Sequence, residues 1–117
     1  MPKPVRADDA EPLLQVRFEA RIIEWRGPAP FFFAPIPDAH AAAFRQAARL
    51  ATYGWGCVPV EAEVGGVVFT TSLFPRGETY LLPLKAAVRR KANVTMGDTI
   101  TARLTIHRLQ RNDLPLG

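Results

Sequence analysis

A chain of 117 residues has the length of one domain and is too short for two cores of ordinary size. With 48% hydrophobic and 22% charged residues it is not disordered as a whole. The net charge of +4 permits attraction to nucleic acid or another polyanion without requiring it.

The 11 prolines predict short elements with many corners, because proline interrupts helices and central strands. Cys57 is the single cysteine, so no internal disulfide and no thiolate metal cluster is available. That usage fits a reducing compartment. No apolar run approaches the ~20 residues that cross a bilayer, and the segment Met1-Pro2-Lys3-Pro4 lacks the apolar stretch of a signal peptide. A cytoplasmic protein without a membrane partner is expected.

Residues 1–13 read as a flexible polar tail. Leu14, Val16, Phe18, Ala20 and Ile22 then alternate with polar residues, the period-two signature of a half-buried strand. The phase slips at Ile22-Ile23 and resumes with Trp25, which predicts a bulge or strong twist before Gly27-Pro28 ends the strand. Phe31-Phe32-Phe33 starts a short strand that stops at Pro35 and Pro37. Asp38 is a suitable N-cap for a helix over 39–51. Its apolar stripe is read as Ala43, Phe44, Ala47 and Leu50, with Arg45, Gln46 and Arg49 solvated. Gly54 and Gly56 end it.

Val58, Val60, Ala62 and Val64 alternate with Pro59, Glu61 and Glu63, and a second apolar run starts at Val67. Two strands around Gly65-Gly66 predict a tight hairpin. Pro75-Arg76-Gly77 predicts the next turn, 79–82 a strand closed by Pro83, and 84–92 a short basic helix. Gly97-Asp98 turns the chain into a last strand with Ile100, Ala102, Leu104 and Ile106 on one side. Residues 110–117 show no pattern and read as a tail.

The order strand, strand, helix, strand occurs twice, over 14–64 and 67–109, joined at Gly65-Gly66. Each half presents an apolar face that it cannot cover by itself. The pattern predicts a mainly β domain with two short helices, in which two pseudo-symmetric halves close one β-barrel. The helices would plug its ends, with Phe44 and Leu50 inward on one and Leu84 and Val88 inward on the other. The core would be complete in a monomer, with dimerisation still open.

The stretch Leu82-Pro83-Leu84-Lys85 through Gly97-Asp98-Thr99-Ile100 resembles the swapped-hairpin units of the AbrB/MazE class, which run strand, proline, short helix, Gly-Asp, strand. Homodimers of such units form a double-split β-barrel, and many bind DNA. The segment from about Val16 to Leu109 is similar to a bacterial family catalogued as domain of unknown function nineteen-oh-five. The residues that carry this are Val64-Gly65-Gly66, Phe69-Thr70-Thr71-Ser72-Leu73, Tyr80-Leu81-Leu82-Pro83-Leu84-Lys85, Val88-Arg89 and Gly97-Asp98. The resemblance implies a single-chain double-split β-barrel. It brings no activity or catalytic residues. Some members carry a further OmpD-associated type domain, which this chain is expected to lack.

Chemistry-bearing residues are sparse. Lys85, Arg89, Arg90 and Lys91, with Arg76 in a nearby turn, are the candidates for contact with phosphates or nucleic acid. Lys85 and Arg89 are four apart and would share a helical face. Against that stands the ordinary role of such charges as a solvated helix exterior. Trp25, Phe31, Phe32, Phe33, Tyr53 and Trp55 are expected at the core or its edge, where Trp25, Phe31, Tyr53 and Trp55 could line an aromatic pocket for a small ligand. Ser72 is in no nucleophile elbow, and His40 and His107 have no metal-ligand spacing. Glu61 and Glu63 share a strand face, which reads more simply as exposed than as an acid/base pair. Cys57 reads as a small buried hydrophobe. No catalytic residue, metal or cofactor is assigned.

Three readings follow. The first is a non-catalytic binding or interaction module. The second is an AbrB-like DNA-binding protein acting as a single-chain pseudodimer. Against it, the first helix carries only Arg45 and Arg49, so the two-fold charge pattern is lost. The third is a small-molecule binder or enzyme with an aromatic-lined pocket and Glu61 or Glu63.

Overall fold

The computed structural model describes residues 12–25, 30–51 and 58–107. In chain order these form β1 (Leu14–Arg21), β2 (Ile23–Trp25), β3 (Phe31–Pro35), α1 (Asp38–Ala51), β4 (Val58–Val64), β5 (Val67–Arg76), β6 (Thr79–Pro83), α2 (Ala86–Ala92) and β7 (Thr99–Ile106). The strands make one curled half-barrel sheet in the order β1-β7-β4-β5-β6-β3-β2, and every adjacent pair is antiparallel. No described helix is long and apolar enough to cross a membrane.

Period-two alternation decides which side of the sheet is dry. Val58, Val60, Ala62 and Val64 of β4 and Ile100, Ala102, Leu104 and Ile106 of β7 are all buried on the concave face. Phe18, Ile22, Ala34, Ile36, Leu73 and Leu82 join them in one core. The outer face of β4 and β7 is polar: Glu63 pairs with Arg103, its register partner, and Gln15 donates to Thr105 at 3.1 Å. Among the described residues no buried side-chain N or O lacks a partner.

The Gly65-Gly66 hairpin is present as expected. Val64 stands opposite Val67, and the glycines have φ of +56° and +80°, the positive pair that a two-residue turn of right-handed twist requires. The slip at Ile22 is also real. Strand pairing breaks there, while the Ile22 N–H donates to the Asp98 carbonyl at 2.9 Å and its carbonyl accepts from the Gly97 N–H at 2.9 Å. The kink leaves Ile22 buried and directs β2 toward β3 instead of β7.

Several sequence expectations need correction. The stripe of α1 is turned from the one read in sequence: Ala41, Phe44, Ala47 and Ala48 are buried, whereas Ala43 is exposed and Leu50 is 61% exposed. The small alanines let α1 lie close, so Phe44 reaches Tyr80 on β6 (6.5 Å between ring centroids), and Leu50 falls on the far side. The turn expected at Pro75-Arg76-Gly77 falls at Gly77-Glu78, with Gly77 at φ 58°, and Pro75-Arg76 is strand. β5 continues through both, Pro75 facing Tyr80 and Arg76 facing Thr79; among the described residues this end of β5 pairs only with β6, and the missing proline N–H points away from β6. Pro59 is accommodated on β4 in the same way, since β7 pairs only with Glu61–Val64. The second helix starts at Ala86, two residues later than read: Leu84 is buried before it, bonded through its N–H to the Phe32 carbonyl at 2.8 Å, and Val88 is half-buried. The expected aromatic core residues Trp25 and Phe31 are 59% and 58% exposed. Tyr53, Trp55 and Cys57 lie outside the described residues.

Candidate functional site

Alternation splits the Phe31-Phe32-Phe33 run. Phe32 shares the inner face with Ala34 and packs against the core, while Phe31 and Phe33 face outward. Where β3 begins and β6 ends, α2 closes over Phe32. The Arg89 guanidinium carbon sits 3.6 Å from the centroid of the Phe32 ring, the distance of a cation–π contact. Its Nε donates to the Leu84 carbonyl at 3.1 Å. Stack and tether together hold the planar group in one orientation, and among the described residues the two terminal nitrogens have no hydrogen-bond partner.

Arg89 lines a cleft of about 250 Å³ with Phe31, Phe32, Pro30, Pro83, Leu84, Lys85 and Ala86. Lys85 caps α2 from an extended conformation (φ −68°, ψ 159°) and is exposed. It therefore lies before the helix and not on it. The two cations nevertheless meet at one cleft, because the first turn of α2 brings the Arg89 N–H onto the Lys85 carbonyl at 3.0 Å.

The remaining basic residues are divided. Arg90 belongs with Arg89, Asn93 and Thr95 to a second hollow, which adjoins the first through Ala86 and Arg89. Lys91 is exposed and lines neither cleft. Arg76 stands at the end of β5 on the face that carries Phe74. Helix α2 ends on Asn93 in the left-handed region (φ 57°), with the Val94 N–H returning to the Arg89 carbonyl at 3.0 Å. That cap stops the helix after about two turns and fixes where its charges point.

Of the four aromatics expected at a pocket, the two described, Trp25 and Phe31, stand on an open surface. Trp25 and Phe31 are register partners across β2 and β3, side by side on the outer face. Phe31 stacks toward Phe33 (6.4 Å), and Phe74 meets Phe33 edge-on (6.2 Å). Phe32 under the guanidinium and Phe33 on the outer face come from the run read as core or core edge, and Phe74, not singled out from sequence, completes the site. The parity of the triple phenylalanine was readable in advance. The seat of Arg89 on Phe32 needs the β3–β6 pairing and was not.

The other candidates do not assemble. Glu63 is committed to Arg103, and Glu61 is exposed beside it on β4. His40 lies 6.3 Å from the Phe18 ring, between centroids, and Ser72 faces Pro59 within the sheet. Among the described residues no group of three or more His, Cys, Asp or Glu could hold a metal ion.

A comparison with curated proteins gives no match. The family model described as "Domain of unknown function (DUF1905)" matches residues 18–104, from the middle of β1 to the middle of β7 and so across both helices and the basic cleft. With most of its length inside that match, the chain belongs to the DUF1905 family.

Proposed function

We propose that this chain is a non-catalytic binding module that receives an anionic partner at the cleft between the start of β3 and α2. The observation that carries the reading is the Arg89 guanidinium, held 3.6 Å above Phe32 and tethered to the Leu84 carbonyl, beside the exposed Lys85. A surface arginine with no binding role has no need of two restraints. Ordering a long side chain costs rotamer entropy, and here that cost is met before any partner arrives, as preorganised binding groups require.

The same reading takes the curled sheet as a double-split β-barrel of the AbrB/MazE type with an internal pseudo-two-fold axis. Support comes from the pairing pattern. β5 pairs with β4 along its first part and β6 along its last, and residues 14–25 do the same with β7 and then β3. Ala62 faces Leu104 and Ala34 faces Leu82, and each pair occupies equivalent places in the two halves. Reading of duplex DNA by a symmetric pseudodimer gains less support. α1, the counterpart of α2, places Arg45 on the Glu78 carbonyl (2.5 Å) instead of offering a matching cation.

Titration calorimetry with inorganic polyphosphate at low salt tests the reading. Binding is expected, weakened about tenfold by Arg89→Ala, in line with a charge-assisted contact of ~1.5–3 kcal/mol. No binding by the parent protein, or equal binding by Arg89→Ala and Lys85→Ala, overturns it.

A further inference from the structure

We infer that the outer face of β2, β3 and β5 is a platform for unpaired nucleobases, so that the anionic partner is a single-stranded nucleic acid. This rests on the proposed anion-binding cleft and adds a second, independent surface to it. Trp25, Phe31 and Phe74 are 59%, 58% and 45% exposed. They form one continuous aromatic face through the buried Phe33. Large aromatics are the side chains that gain most from burial, so a cluster left in water marks a contact surface.

Charge selects the occupant. The face is bordered by cations at both ends: Arg76 shares the outer side of β5 with Phe74, and Phe31 forms a wall of the cleft that holds Lys85 and Arg89. Glu24, the acid of β2, alternates away from Trp25 to the inner face, where it stands opposite Phe32 and off the aromatic platform. An apolar protein partner would gain nothing from flanking cations. A small ligand would be poorly enclosed, because the cleft's ~250 Å³ is below the usual ~300–1,000 Å³ range. A duplex offers phosphates but hides its base faces in its own stack. A single strand offers both, and aromatic platforms flanked by Lys and Arg suit it without sequence preference.

Fluorescence anisotropy with labelled oligo-dT, with a duplex of equal length and polyphosphate as comparisons, tests this. Oligo-dT should bind most tightly, with a log–log salt slope of about 0.7 for each phosphate engaged. Trp25→Ala and Phe74→Ala, neither of which lines the cleft, should each weaken oligo-dT about fivefold or more. Both should leave polyphosphate unchanged. A second readout needs no variant: ring-proton resonances of Phe31 and Phe74 in the parent protein should move upfield as oligo-dT is added. Duplex binding as tight as oligo-dT, or unmoved rings, overturns the base platform. If polyphosphate still binds through Arg89, the anion-binding reading survives that result. If neither polyphosphate nor oligo-dT binds at low salt, both fall.

Discussion

Gly65 and Gly66 share a turn and a positive φ, yet substitution at the two should not cost the same. A Cβ on Gly66 meets nothing within 4 Å, whereas one on Gly65 would stand 3.3 Å from the Ala92 Cβ and 3.4 Å from the Ala92 carbonyl oxygen. Gly66→Ala should therefore cost only the left-handed backbone strain, about 1–2 kcal/mol. Gly65→Ala should cost that and more, because the hairpin must part from the end of α2. Urea denaturation of the two variants measures the difference, and equal losses would show that the helix yields freely. Arg89 gives a second residue-scale prediction. Arg89→Lys keeps the charge but loses the flat stack on Phe32, so stability should fall by about 0.5–1 kcal/mol. Polyphosphate affinity should recover only part of what Arg89→Ala loses.

The facing of α1 is decided by its contacts. A sequence stripe through Ala43, Phe44, Ala47 and Leu50 and the observed one through Ala41, Phe44, Ala47 and Ala48 share Phe44 and Ala47 and differ by a modest rotation. In an alanine-rich helix both are amphipathic, and the pattern does not choose between them. The choice falls to the surface that receives the helix, where Phe44 meets Tyr80 and bulk at Ala48 would hold the helix off the sheet. Phe44→Ala should thus cost about 3–5 kcal/mol. Leu50→Gln should change stability by no more than about 0.5 kcal/mol. Thermal melts of the pair check the phase: a large loss at Leu50 would mean that this face is covered after all.

At the scale of the molecule, each half keeps one strand pair to itself, β2 with β3 in the first and β5 with β6 in the second, and its other pairings cross between the halves. β1 pairs with β7, β3 with β6 and β4 with β7, so the dry faces of residues 14–64 and 67–106 close only on each other. Fragments cut at Gly65-Gly66 should each remain unfolded alone and recover β structure on mixing, followed by circular dichroism. A half that folds by itself would contradict the shared core. Burial at roughly 25 cal/mol per Å² of apolar surface is available only in the assembled pair.

Sequence alone determined the local and periodic features. Alternation in β1, β4 and β7, the Gly65-Gly66 turn, the slip at Ile22 and the gathering of cations around Lys85–Lys91 depend on neighbours within a few residues. Chain-distant pairing determined the rest. Pro75 stays in a strand because β5 pairs there with β6, opposite Tyr80, and Trp25 is outside because the kink at Ile22 sends β2 to β3. Arg89 is seated because Phe32 lies under α2, 57 positions away along the sequence. Side-chain period says which residues share a face. Only the closed set of strand pairings says which face is covered, and by what, since the free energy of covering it belongs to both partners at once.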